Sequence, residues 1–447
     1  MLNTDLKGYN VMKKILVVII MSFILILNSC NNRVTNYNLS KDIYNNAIDN
    51  DRELDESSLT EFQKLMLNDY EYMWEILREN YPFWGLIKRR QINADKVYKI
   101  YKQQINTIEN EVDFFNLINA ALNNFYGLGH LKLLNYNFYS YHKYIYELNF
   151  GNDNISSLGK IILAPDVKMA YESLRIEKKG LEANFEIEYN LPYENACVED
   201  SKNIKYFDLI ENKVAYIQIK SFGQENLIYD GYALKNLYEK ISDYEHVIFD
   251  VSQNSGGNMQ YWVNNIVIPN SENKKFTYQT YSLVQKGEYN EKFFNDNNYY
   301  YEDLKPASEL PDFENLNTDD LEIAPYFLIS SDTIISNTEK KALNGRLWVI
   351  TSGESYSATD TFAYFCKNTG FANLIGQPTG GDGIGITSSY LKLPNSKYII
   401  KYSADLALNN DGSNNEEFGT TPNFYISGKP GDINFINSCL KLIQNEQ

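Results

Sequence analysis

Two short apolar runs, Val247-Ile248-Phe249-Asp250-Val251 and Leu347-Trp348-Val349-Ile350, each end at a turn rich in glycine or serine. A run that is apolar at consecutive positions suits a strand buried on both faces, the habit of parallel strands covered by helices. The alternating strand Val214-Ala215-Tyr216-Ile217-Gln218-Ile219-Lys220 precedes the first run, with a helical pattern from Ala233 to Ile241 between them. A further helix runs on from Ser357. Strand and helix in alternation predict an α/β sheet with both faces covered. The stretch 270–343 is long, polar and aromatic and interrupts that alternation; we read it as an insertion near the site, such as a lid. With 447 residues, 43% of them hydrophobic, the chain can bury substantial cores and has room for about two or three domains.

The front of the chain reads differently. Residues 31–56 are polar and rich in Asn and Asp, as in a flexible tether. A helix is expected from Ser58, which has capping-box spacing to Glu61, through Phe62, Leu65, Met66, Tyr70, Met73 and Leu77, and it should stop before Pro82. Helical patterns recur from Ala94 to Ile105 and from Val112 to Phe125, giving a helical domain over 57–128. From 129 to 213 the pattern turns to short alternating strands, such as Phe185-Glu186-Ile187-Glu188-Tyr189, predicting a connecting β-rich segment. The α/β core then occupies 214–440.

The first thirty residues address the protein. Met12-Lys13-Lys14 precedes a run from Ile15 to Leu27 in which only Ser22 is not apolar. That run is too short for a bilayer core, which needs about twenty residues, but it suits a signal-peptide core. Leu27-Asn28-Ser29-Cys30 resembles a bacterial lipobox, whose cysteine is acylated; a conventional signal or an uncleaved anchor is the alternative. Cys197, Cys366 and Cys439 are far apart and form no C-x-x-C pair, so neither a disulfide framework nor a metal cluster is expected. The 41 basic and 58 acidic residues give a formal charge of −17, which argues against a nucleic-acid partner. The expected placement is the extracellular face of the cell membrane, held by the lipid on Cys30. The excess of Asn (56) and Tyr (37) fits an A/T-rich coding sequence, and a Tyr-lined binding surface is the other reading.

Four local features could carry chemistry. Asn254-Ser255-Gly256-Gly257-Asn258 follows a strand; a Gly-Gly pair there can turn backbone N–H groups toward an anion, or simply make a tight turn. Ser355-Tyr356-Ser357-Ala358-Thr359-Asp360 places a hydroxyl at a helix start, where it serves either as a nucleophile or as the cap of a Ser357/Asp360 box. Gly127-Leu128-Gly129-His130 holds one of only three histidines, the others being His142 and His246. An imidazole on a glycine-flanked turn suits a base, or is incidental. Glu416-Glu417-Phe418-Gly419-Thr420-Thr421-Pro422 offers an acid that could orient an imidazole, or a plain surface carboxylate.

In this order, the segments resemble the tail-specific (C-terminal processing) serine peptidases, specifically the branch near the tricorn core protease. Val214–Phe222 resembles the strand entering the family's core, and Asp250–Gly257 resembles its Asp-x-x-x-Asn-x-Gly-Gly turn, with Ser252 where Arg is common. Ser357-Ala358 matches the nucleophile, Leu374-Ile375-Gly376 and Thr379-Gly380 the strand and loop after it, Gly129-His130 the base motif, and Glu416 the acid. The resemblance implies a crotonase-like α/β core with a Ser357–His130–Glu416 triad and an oxyanion hole from Gly256 or Gly257 and Ala358. It implies a peptide or protein substrate, with no cofactor and no metal. Two departures stand out. Asp382 occupies the place of the lysine in lysine-dependent members, so a Ser–Lys dyad is not available. Region 131–213 shows no signature of a PDZ domain. The rival reading is an inactive peptidase-like domain that binds peptides or apolar ligands outside the cell, and a secreted esterase shares the triad logic.

Overall fold

A computed structural model describes residues 54–148, 157–177, 193–297, 301–386 and 388–446. The signal segment, Cys30, most of the tether, Phe185–Tyr189 and Tyr299-Tyr300 lie outside the described residues. Among the described residues no helix is long and apolar enough to cross a membrane.

The first long helix spans Glu61–Asn80. Its cap is Thr60, not Ser58: the Thr60 hydroxyl accepts from the Gln63 N–H (3.2 Å) and Gln63 Oε1 accepts from the Thr60 N–H (3.0 Å). Ser58 belongs to a separate turn over Glu56–Ser58, capped by Asp55. Met66, Tyr70, Met73 and Leu77 are buried at helical spacing, whereas Leu65 is half exposed. Helices Trp84–Arg89, Ala94–Gln103 and Glu111–Asn123 complete the front.

Among its described residues the next region is mainly helical, not β-rich. After the two-residue strand β1 (Lys132–Leu133) come helices Tyr136–Leu148, Ser157–Ile162 and Pro165–Glu177, and β2 (Ile204–Ile210) is the longer strand described there. Abundant Tyr and Phe favour strands as isolated residues, but here packing decides. Tyr139 and Tyr171 are both buried, stack with centroids 4.3 Å apart, and Tyr171 donates to the Leu134 carbonyl at 3.1 Å.

The core matches the alternation. Strands β3 (Val214–Ile219), β4 (His246–Asp250), β8 (Arg346–Thr351), β9 (Asn373–Gly376) and β13 (Phe424–Tyr425) run parallel, with β2 antiparallel at one edge, in the order β13-β9-β8-β4-β3-β2. Every residue of β4 is buried. Val247, Phe249 and Val349 pack against helices Leu227–Ile241 and Ala358–Thr369, and Ile248, Trp348 and Ile350 against helix Ile433–Asn445.

The stretch 270–343 is structural and not a lid. β5 (Lys275–Val284) pairs along its length with β7 (Tyr326–Ile335), and β6 (Lys305–Pro306) and β12 (Asp405–Leu408) complete a sheet ordered β12-β5-β7-β6. The segment is fastened to the front by polar groups that burial obliges to pair. Buried Asn290 donates from its N–H to Asn80 Oδ1 and from its amide to the Asn80 carbonyl, both at 2.8 Å. Arg89 makes a two-pronged contact with Asp320 at 2.9 Å. A third sheet, β1-β11-β10, joins β1 to β10 (Ser389–Lys392) through β11 (Ile399–Tyr402).

Candidate active site

Ser357 stands where β8 hands over to helix Ala358–Thr369, at φ 58°, ψ −125°. A left-handed serine is strained, and surrounding bonds must hold it. The Ser357 N–H donates to the Gly381 carbonyl (3.1 Å), Ser355 Oγ donates to the Val251 carbonyl (2.8 Å), and Thr359 Oγ1 donates to Asn254 Oδ1 (2.8 Å). The Ser357/Asp360 capping box does not form. Ser357 makes no side-chain cap bond, and buried Asp360 instead accepts from Thr379 Oγ1 and from the N–H groups of Gly383 and Thr420, the latter two at 3.2 Å. The Ser357 hydroxyl lies 3.2 Å from His130 Nε2.

His130 closes the turn Leu128–His130 that leads from the helical front into β1. It too is left-handed, at φ 56°, and Gly129 before it has φ 52°. A Cβ on Gly129 would fall 2.5 Å from the Phe83 ring, so glycine lets the front pack directly beneath the base. Tyr81 donates its hydroxyl to the Leu128 carbonyl (2.6 Å), and the Ser403 N–H donates to the Gly129 carbonyl (2.7 Å). Burial pushes the His130 imidazole below its usual pKa while the Asp382 charge opposes that shift, favouring a neutral base at neutral pH.

At the acid the structure departs from the sequence expectation. His130 Nδ1 bonds Asp382 Oδ2, and the same oxygen accepts from the hydroxyls of Tyr356 (3.2 Å) and Ser403 (3.1 Å). Asp382 is the third left-handed residue of the cluster, at φ 48°, and its side chain is 4% exposed. Glu416 does not reach the imidazole. It sits one layer behind, on Tyr356 (3.2 Å) and on the Gly129 backbone N–H. Burial first, and then the Asp382 charge, raise its pKa well above the usual value, which disfavours the charged form that would stabilise an imidazolium. The only mark of Asp382 in the sequence is its place between Gly381 and Gly383; what brings it to the imidazole is the fold of its loop against the serine turn.

The backbone donors also sort themselves. The Gly256 N–H is taken by Asn254 Oδ1 at 2.9 Å, so it is not open to an oxyanion. Gly257 and Ala358 have no backbone acceptor for their N–H groups among the described residues, and a Cβ on Gly256 would lie 3.0 Å from the Ala358 nitrogen, so this turn abuts the serine. Of the other histidines, His246 accepts from Trp348 Nε1 (3.2 Å) within the sheet, and His142 packs at a tilt against Phe138. No His, Cys, Asp or Glu cluster fit for a metal occurs among the described residues, and Cys197, Cys366 and Cys439 are free thiols.

Residues 213–426 match Peptidase family S41, and residues 64–123 match the Tricorn protease C1 domain. No curated protein matches. Among solved structures, a protein from Parabacteroides merdae is 18% identical, with 84% of this chain and 96% of that chain covered at a TM-score of 0.48. Mature CPAF complexed with lactacystin is 12% identical, with 86% and 98% covered at a TM-score of 0.47. The tricorn protease is 15% identical, with 87% and 37% covered at a TM-score of 0.40. The mixed α/β core behind a helical front is consistent with the crotonase-like core of the tail-specific proteases.

Proposed function

This chain belongs to peptidase family S41, and from that premise we propose that it is a serine endopeptidase acting on peptides or proteins through an acyl-enzyme. One observation carries the reading: Ser357 Oγ is 3.2 Å from His130 Nε2 while His130 Nδ1 is bonded to Asp382. Nucleophile, base and orienting acid are in line, each within reach of the next.

In this mechanism Ser357 Oγ attacks the scissile carbonyl as His130 Nε2 takes its proton. The imidazolium charge forms beside Asp382. The N–H groups of Gly257 and Ala358 receive the oxyanion, where one such donor is worth about 10²–10³-fold. Collapse breaks the C–N bond, and His130 returns the proton to the departing amine. Water, deprotonated by the same imidazole, then attacks the acyl ester and restores the serine. Glu416 holds Tyr356 and the Gly129 N–H, which places it behind the acid.

A fluorophosphonate probe tests this directly. It should label the wild-type protein covalently and fail to label Ser357→Ala of unchanged circular dichroism. A folded wild type that resists labelling, or an alanine variant that labels equally, sinks the reading. For placement, the chemistry of Leu27-Asn28-Ser29-Cys30 behind an apolar run supports a lipid anchor on Cys30 and an extracellular position. Metabolic incorporation of an alkynyl fatty acid, abolished in Cys30→Ser, is the expected result; incorporation that survives the substitution overturns it.

A further inference from the structure

Helix Leu227–Ile241 packs Ala233, Leu234 and Leu237 into the core, and an amphipathic helix is expected to turn polar residues the other way. Here the outer stripe carries Ile228, Tyr232 and Lys235, spaced four and three residues apart. Ile228 is 57% exposed and Tyr232 41%. The Tyr232 ring stacks on exposed Tyr193 with centroids 5.9 Å apart, which gives this stripe an aromatic edge. Along it runs a groove of about 570 Å³, within the roughly 300–1,000 Å³ of small-ligand sites.

The helix forms one wall of the groove, and residues 264–269 and 338–342 form the others. A Cβ on Gly231 would fall 2.8 Å from Asn265 Oδ1, so glycine lets the helix meet the turn Val263–Val267 closely and leaves the floor free of a side chain. That turn is π-helical, a rare geometry that recurs at functional sites. The walls are bonded to one another. The Asn265 amide donates to the Leu227 carbonyl (3.0 Å), and the Tyr238 hydroxyl donates to the Asn265 carbonyl (2.9 Å). Thr338 Oγ1 donates to the Ile268 carbonyl (3.1 Å), and the Ala342 N–H donates to the Pro269 carbonyl (2.9 Å). A groove formed in advance costs little ordering when it fills.

Its charge is one-sided. Lys235 on the helix and Lys340 on the facing loop line it, and no carboxylate does so among the described residues. Glu239 and Glu339, the acids nearest to them in sequence, lie outside the groove, and neither lysine forms an ion pair among the described residues. On a chain of formal charge −17, two such lysines at an apolar, aromatic groove favour a negatively charged occupant.

We propose that this groove binds a small aromatic carboxylate, its ring against Ile228 and Tyr232 and its head at Lys235 and Lys340. The site stands apart from the proposed triad, so binding and not turnover reads it. Isothermal titration of the protein with indole-3-acetate is the test. One saturable site is expected, with a Kd of about 1 mM or below for a ligand of this size. Binding should weaken as salt rises, and indole-3-acetamide, of the same shape without the charge, should bind about tenfold more weakly. Lys235→Gln and Lys340→Gln should each cost about two- to fivefold, the worth of one exposed ion pair. Ile228→Glu places an acid on the apolar wall at an exposed position, and should abolish binding with circular dichroism unchanged. Ser357→Ala should bind as the wild type does.

No saturable binding, equal affinity for the amide, or affinity unchanged in Ile228→Glu and in both lysine variants overturns the site. Binding lost in Ser357→Ala would put the ligand in the triad instead. Three results would give the groove to another occupant and equally overturn the proposal: octanoate binding more tightly than indole-3-acetate, acetyl-Asp-Leu-Phe-Glu-amide binding where indole-3-acetate does not, or a wild-type dimer that Ile228→Glu makes monomeric in sedimentation velocity.

Discussion

The proposed nucleophile and the proposed base are held by different means. Ser357 and the Gly256-Gly257 turn hang from the ends of β8 and β4, two strands hydrogen-bonded side by side in a sheet buried on both faces. His130 has no such strand behind it. It ends a turn whose place is set by side chains from elsewhere: Phe83 beneath Gly129, Tyr81 on the Leu128 carbonyl, and Ser403 on the Gly129 carbonyl. One half of the site is therefore an outcome of local sequence and sheet packing. The other exists only once the helical front and the β1-β11-β10 sheet have docked against the core. Strain marks the junction, since Ser357, His130 and Asp382 all lie in the left-handed region.

The bluntest way to break this comparison is to remove a member from each half. Ser357→Ala and His130→Ala should each lower kcat/KM by about 10⁴–10⁶-fold, because triad members act as a unit. Peptide hydrolysis at matched circular dichroism is the measurement, and a His130→Ala variant with near wild-type turnover would place the base elsewhere.

Next in size is the contest between two acids. Asp382→Asn keeps the shape of the site but replaces the oxygen that fixes the His130 tautomer, and kcat should fall by about 10⁴-fold. Glu416→Gln should cost about tenfold or less, the scale of one hydrogen bond to Tyr356. Steady-state kinetics of the two variants decide it; the reverse order would restore Glu416 as the orienting acid.

That contest also shows how far the sequence can be read. The parallel strands β4 and β8 were legible because unbroken apolar runs ending in Gly or Ser leave few alternatives to a buried strand and a turn. Ser357 and His130, which the structure brings within 3.2 Å of each other, each stand in a short glycine- or serine-bearing motif. No such motif marks Asp382 as the acid, because what brings it to the imidazole is a fold-back of its loop: Gly381 bridges to Tyr356 and accepts the Ser357 N–H. No periodicity encodes such a contact. The three helices between Tyr136 and Glu177 escaped for a related reason. Their tyrosines read as strand formers one at a time, whereas the stacked, buried Tyr139 and Tyr171 settle the outcome through packing on Leu134.

A pH profile sharpens the comparison without removing the chemistry. Burial holds His130 below its ordinary pKa, so the acid limb of kcat/KM should lie below about 6.5. The Asp382 charge raises His130, so Asp382→Asn should move that limb to lower pH. Burial disfavours the charged form of Glu416, so Glu416→Gln should displace the limb less than Asp382→Asn does. Equal displacements in the two variants would contradict the assignment of charge.

Smaller effects come from the packing that supports the base. Gly129→Ala puts a methyl group 2.5 Å from the Phe83 ring at a residue with φ 52°, and should cost about 2–3 kcal/mol of stability in urea titrations. The same substitution at exposed Gly353, where a Cβ would meet nothing within 4 Å, should cost little.

The mildest probe is Tyr81→Phe. It keeps the ring that packs on Phe83 (centroids 5.1 Å apart) and deletes only the hydroxyl bonded to the Leu128 carbonyl at 2.6 Å. Loss of that bond should cost about 1 kcal/mol of stability. If the front does position the base, the variant should also lower kcat more than it changes KM, because the peptide still meets an intact Gly257–Ala358 turn while the imidazole is less well aimed. A loss of stability with kcat untouched would mean that β11 and Ser403 hold His130 unaided, and that the helical front stabilises the fold without tuning the site.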